Sequence, residues 1–116
     1  MKWDKPHAGS RANVAAIDLS AHKVVWQAAP GKSVNFVVET QTGILVGTDE
    51  GTLVLLNPAD GAVVWKTVVD KAEVTRFYGD TEEGFFVSSG DERFWLVDHG
   101  GKVVMRCADQ CFEPRR

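Results

Sequence analysis

Few residues in this chain have both the type and the spacing to do chemistry. His22 and His99 fall in equivalent hairpin turns, immediately before Lys23 and Gly100, where a repeated imidazole could ligate a metal or act as a pH-sensitive contact. Thr48-Asp49-Glu50-Gly51 and Gly90-Asp91-Glu92-Arg93 cluster carboxylates at turn tips, an oxygen-rich arrangement that suits a hard cation such as calcium. Cys107 and Cys111, the two cysteines, stand four apart and could hold a metal, bridge locally, or remain thiols. Each pattern has a plainer reading. Asp and Gly are the ordinary residues of a hairpin turn, a turn histidine without partners is a turn residue, and zinc needs four ligands where the tail supplies two. The expected state of Cys107 and Cys111 is two free thiols, ahead of a local disulfide and of a metal pair. No Ser, His and Asp set carries a local signature, no Gly-rich phosphate loop precedes a helix, and no basic stripe runs along the sequence. The sequence therefore assigns no catalytic, cofactor-binding or metal-binding residue, and no cofactor.

The elements that must position these residues are short strands. Val24-Val25-Trp26, Val63-Val64-Trp65 and Val103-Val104-Met105 recur at steps of 39 and 40 residues. Self-similarity at that period, with short strands between turns, is the signature of propeller blades. Strands are expected over 13–19 and 24–28, then over 34–38, 44–48, 52–56 and 63–69, then over 74–78, 85–88, 93–98 and 102–106. Pro30-Gly31 ends the first pair, and Asn57-Pro58-Ala59-Asp60-Gly61 is the strongest turn. No segment sustains a 3.6-residue period, so no substantial helix is expected. The pattern predicts an all-β, propeller-like stack of about two and a half four-stranded antiparallel blades. One repeat domain, 1–116, divides into a half blade over 12–29, full blades over 33–69 and 73–106, and a polar tail over 107–116. Phe94 and Trp95 are adjacent on one strand, so one of them should face outward.

Bulk properties narrow the function. At 116 residues, 44% apolar and 25% charged, the composition is that of a globular domain. A net charge of −3 gives no general pull toward nucleic acid or an anionic membrane. The apolar runs reach only about five residues against the ~20 that span a bilayer. Met1-Lys2-Trp3-Asp4-Lys5-Pro6-His7 lacks the apolar segment of a secretory leader, so a cytoplasmic location is expected.

Aligned on the third-to-fourth hairpins, the copies show a denser pattern. Ala16-Ile17-Asp18-Leu19-Ser20-Ala21-His22-Lys23-Val24-Val25-Trp26 resembles the tryptophan-docking repeat of the quinoprotein, pyrroloquinoline quinone-type β-propellers. Ala16, Asp18, Lys23 and Trp26 match that repeat, while Ala21 and His22 stand where Thr-Gly is usual. The second copy, from Leu55 to Trp65, keeps Asn57, Gly61 and Trp65. The third, from Leu96 to Met105, is one residue shorter and keeps Asp98, Gly101 and Lys102, with Met105 for the tryptophan. The resemblance covers roughly residues 13–106 and implies blades joined by outer-strand indoles. Quinone dehydrogenases of this kind use a full ring, a metal ion and a catalytic Asp; nothing in this sequence identifies those positions.

An open stack leaves apolar sheet faces at both ends, which points to association. The expected role is a non-catalytic binding or assembly module that meets a protein partner or its own copies through open blade edges and loop tips. The competing class is a fragment or subunit of a quinone- or metal-dependent oxidoreductase propeller. Trp3 and Phe112 are candidates for covering the outer faces.

Overall fold

The computed structural model describes residues 2–4, 12–90 and 93–107, the first three as backbone only. Among them lie eleven strands in three antiparallel sheets. The first sheet joins β1 (Lys2–Asp4), β2 (Val14–Asp18) and β3 (Lys23–Ala28). The second joins β4 (Val34–Glu39), β5 (Ile44–Thr48), β6 (Thr52–Leu56) and β7 (Val63–Val68). The third joins β8 (Val74–Thr81), β9 (Gly84–Ser89), β10 (Arg93–Val97) and β11 (Val103–Cys107). Within each sheet, every strand pairs with its neighbour in chain order. The first sheet has one strand more than the repeat pattern predicts: Lys2, Trp3 and Asp4 pair with Ile17, Ala16 and Ala15.

The sheets stack through two apolar layers. β5 and β6 are buried along their whole length, which is why Ile44-Leu45-Val46 and Leu53-Val54-Leu55-Leu56 read as continuous apolar runs rather than alternating ones. Ile44, Val46, Val54 and Leu56 meet Val14, Ala16 and Trp26 of the first sheet. Leu45, Leu53 and Leu55 meet Phe85, Val87, Trp95 and Val97 of the third. A bulge interrupts each third-to-fourth hairpin at the same place, after Ala16, Leu55 and Leu96, and bulges of this kind sharpen the twist of a sheet.

The repeated Asp or Asn shapes the turns that follow. Asp18 Oδ1 accepts the backbone N–H of Ser20 at 3.0 Å, Asn57 Oδ1 that of Ala59 at 2.8 Å, and Asp98 Oδ1 that of Gly100 at 3.0 Å. These are the Asx turns that short polar side chains form with their own backbone.

Each outer-strand indole reaches across to the next sheet. Trp26, 8% exposed, donates from Nε1 to the Pro58 carbonyl at 2.9 Å. Trp65 donates from Nε1 to the His99 carbonyl at 2.9 Å. Under the rings lie Gly61 and Gly101, with φ of 77° and 91°. A Cβ on Gly61 would stand 2.7 Å from Trp26 Cδ2, and one on Gly101 2.7 Å from Trp65 Cδ2. Glycine is needed there twice over, for the left-handed backbone and for the clearance.

At the opposite end, polar side chains tie the link after β7 to the third sheet. Asp70 Oδ2 accepts Ser89 Oγ at 2.6 Å and Arg93 Nε at 2.7 Å, while Trp95 Nε1 donates to Ser89 Oγ at 2.7 Å. Burial pushes the Asp70 carboxyl up, but the Ser89 hydroxyl, the Arg93 guanidinium and the backbone N–H groups of Lys71 and Ala72 outweigh it. They hold the pKa at about 2, below the ordinary 3.8.

Cys107 corrects the free-thiol expectation, because it is disulfide-bonded. Cys111 lies outside the described residues.

Candidate protein-binding surface

Strand alternation gives the third sheet two different faces. Phe85, Val87, Trp95 and Val97 point into the layer shared with the second sheet. Phe86, Phe94 and Leu96 alternate with them and point the other way. Tyr78, the residue at the β8 bulge, completes an aromatic cluster. Its ring centroid lies 5.6 Å from those of Phe86 and Phe94, which are 5.7 Å from each other. Leu96 is in register with both Phe86 and Met105, which places Met105 on the same face. Tyr78 is 48% and Met105 51% exposed. None of these five residues joins either buried layer among the described residues.

Register shows what the face is built for. Phe86, Phe94, Leu96 and Met105 are the repeat equivalents of Leu45, Leu53, Leu55 and Trp65, the residues with which the second sheet holds the third. The third sheet therefore turns outward the kind of face that, one sheet earlier, is covered. Aromatic rings at 31–49° to one another are a rigid, low-entropy contact surface of the sort that anchors protein interfaces.

The residues singled out by sequence fall in several places. Trp95 is the inward member of its pair, 9% exposed, and Phe94 is the outward one. His22 is exposed in the β2–β3 turn with a positive φ of 53°. His99 Nε2 lies 2.7 Å from Asp80 Oδ1, and its ring meets Phe85 edge-on at 5.0 Å. In the first acidic turn, Thr48 is buried, and Glu50 Oε1 accepts the Lys32 backbone N–H at 2.8 Å. Asp91 and Glu92 of the second acidic turn lie outside the described residues, as do the side chain of Trp3 and the whole of Phe112. The structure does not bring His22 and His99 together: they sit on the first and third sheets.

His99 and Asp80 border an open cleft of about 1000 Å³ between the turns of the second and third sheets, with Glu39 and Glu82 beside them. Two of its three threonines, Thr40 and Thr81, are committed to their own turns. Thr40 Oγ1 donates to the Gly43 carbonyl and Thr81 Oγ1 to the Gly84 carbonyl, each at 2.8 Å. The imidazole thus has an orienting carboxylate, and the Thr40 and Thr81 hydroxyls are already bonded to the backbone. The Tyr78 cluster and the Asp70–Ser89–Trp95 chain were not singled out by the sequence. The signal for the first is a pair of adjacent aromatic residues on each of two strands, Phe85-Phe86 and Phe94-Trp95, of which alternation must turn one outward; the second has no local signal, because Asp70 and Ser89 are joined only by folding.

Stacked four-stranded meanders, a common bulge and indoles crossing onto glycine turns define a quinoprotein-repeat β-propeller. The profile of a family described as outer membrane protein assembly factor BamB matches residues 10–109, and the chain belongs to that family. The crystal structure of BamB from Moraxella catarrhalis is similar in fold, with a TM-score of 0.68 at 19% identity, over 94% of this chain and 35% of that one. The chain thus spans about a third of that relative's length. No curated protein matches it by sequence. The cytoplasmic expectation is corrected by these matches, since a family described by outer-membrane protein assembly points away from the cytoplasm. That expectation rested on the residues at the start of the sequence, which say nothing of location in a chain covering a third of its relative. The bonded Cys107 agrees with the correction, because disulfides persist in oxidising compartments and are rare in the cytosol.

Proposed function

We propose that this chain is a non-catalytic protein-binding module that serves outer-membrane protein assembly, with its blades rather than a cofactor as the working parts. The observation that carries the reading is the outward face of the third sheet, where Tyr78, Phe86, Phe94, Leu96 and Met105 form one contiguous apolar surface. A patch of aromatic and thioether side chains bordered by polar turns has the composition of an interface core. Membership of a family described as an assembly factor supports the same conclusion. In this reading Trp26 and Trp65 dock one blade onto the next, and the stiffness of the stack keeps the outward face flat and ordered for its partner.

The test places a photo-crosslinking amino acid at Tyr78 on the outward face and, as a control, at Lys66 on β7. The expected result is discrete protein adducts from Tyr78 that Lys66 does not give. Equal or absent crosslinking at the two positions would overturn the reading.

A further inference from the structure

We infer that the free edge of β7 is a second binding site, which takes an extended segment of a partner protein as an added antiparallel strand. A carboxylate of that segment is set against Lys66, with apolar side chains on either side of it. This goes beyond the reading above and stands on a strand that the Tyr78 cluster does not use.

Among the described residues β7 has one sheet neighbour, β6. It belongs to the middle sheet, which has an apolar layer on each side, so its outer edge is independent of what lies beyond the first and third sheets. Register fixes which backbone groups that edge offers. The Val69 N–H donates to the Gly51 carbonyl at 2.8 Å, and Val68 and Lys66 stand opposite Thr52 and Val54. Bonded and non-bonded pairs alternate along an antiparallel ladder, so the N–H and C=O groups of Lys66 and Val68 point away from β6. The side chains of the same two residues are exposed. Val68, at 72%, is the most exposed large apolar residue among those described. Val63 and Val64, each 56% exposed, continue the apolar surface along the strand. Outward backbone groups flanked by exposed valines are a template for another strand.

Charge selects the strand. The chain carries 16 acidic residues and a net charge of −3, yet β3, β7 and β11 hold no carboxylate and one cation each, Lys23, Lys66 and Arg106. Lys23 stands opposite Asp18, and the Arg106 guanidinium lies over the Trp95 ring at 5.5 Å. Lys66 stands opposite Val54, and the ion pairs among the described residues are those of Arg93 and His99. Among the outer-strand cations described, Lys66 is the one left for a partner. The residue added opposite it exchanges both backbone bonds with Lys66, about 5.5 Å away between Cα atoms, and lays its side chain on the same face. A carboxylate at that place is attracted and a second cation repelled. The same rule turns away a second copy, because two β7 edges laid antiparallel so that Val64 meets Val68 set Lys66 against Lys66. The segment that fits is apolar two positions before and two positions after an aspartate or glutamate, the side chains that meet Val64 and Val68.

The test follows the fluorescence anisotropy of a short labelled peptide of alternating valine and threonine, with glutamate in place of the central valine, against the same peptide with lysine there. The intact chain is expected to bind the glutamate peptide about five- to tenfold more tightly, and Lys66→Glu to reverse the preference. N-methylation of the pairing nitrogens of the glutamate peptide, which leaves the protein untouched, is expected to weaken binding at least about tenfold. Val68→Pro removes an outward N–H that β6 does not use and should weaken binding to a similar extent with the far-ultraviolet circular dichroism unchanged. Equal binding of the two peptides, a preference that survives Lys66→Glu, or indifference to N-methylation overturns the added strand, as does no binding at concentrations on the order of 1 mM. Sedimentation with phosphatidylglycerol vesicles in place of peptide binding assigns the edge to an anionic lipid surface and overturns it too. A photo-reactive residue at position 66 removes the ammonium that selects the segment, so that position remains the silent control for Tyr78.

Discussion

The contact between Trp26 and Gly61 can be isolated energetically, because its two partners fail for different reasons. Trp26 is 8% exposed, and a side chain of its kind buries about 150–250 Å², so Trp26→Ala should cost about 3–5 kcal/mol. Gly61→Ala carries two costs. An alanine held at a φ of 77° loses roughly 1–2 kcal/mol to the left-handed backbone. Its Cβ, 2.7 Å from Trp26 Cδ2, also displaces the ring and forfeits part of that burial, roughly another 1–2 kcal/mol. In a Trp26→Ala background there is no ring to displace, and only the backbone cost remains. The double-mutant cycle should therefore show a coupling of about 1–2 kcal/mol, with Gly61→Ala milder in the second background. Urea unfolding followed by far-ultraviolet circular dichroism measures it without relying on indole fluorescence. If Gly61→Ala costs the same in both backgrounds, the ring does not lie over the glycine and the account of the blade junction fails.

Three further outcomes are expected. Met105, 51% exposed, should tolerate Ala within about 1 kcal/mol in a single chain, whereas its repeat equivalents Trp26 and Trp65 should not; equal losses at all three positions would mean that Met105 is packed like the tryptophans. The Asp70 carboxyl, held at about 2 instead of 3.8, binds fewer protons in the folded chain than in the unfolded one between those values. Its stabilisation is whole above about pH 4 and is lost as the pH falls through about 2. With Arg93 31% exposed the contribution is screened to roughly 1–2 kcal/mol. Asp70→Asn should thus lower the urea midpoint at pH 7 and flatten its fall between pH 4 and 2, and parallel profiles would refute the assignment. Alkylation without prior reduction should leave Cys107 unmodified by mass spectrometry, and become complete after reduction; labelling of the unreduced chain would restore the free-thiol reading.

Strand positions and turn types are legible in the sequence because their causes are local. Asn57 makes its turn with Ala59, two residues on, and a strand's alternation is written in neighbouring side chains. The continuous apolar runs of β5 and β6 already indicate a sheet covered on both faces. The repeat period and the residues around Trp26 and Trp65 suffice to place the chain in its fold family.

What required the tertiary structure is every relation between one sheet and the next. Alternation states that one of Phe94 and Trp95 faces outward, but the choice depends on which side the second sheet occupies, and that side took Trp95. Tyr78 joins Phe86 and Phe94 only because a bulge in β8 aims it across two other strands. Asp70 and Ser89 are 19 residues apart, and a carboxylate and a hydroxyl at that separation leave no local mark. Local sequence sets which backbone hydrogen bonds and turns are favourable over a few residues; the contacts that make a binding face arise from register and stacking, to which residues far apart in the chain contribute together.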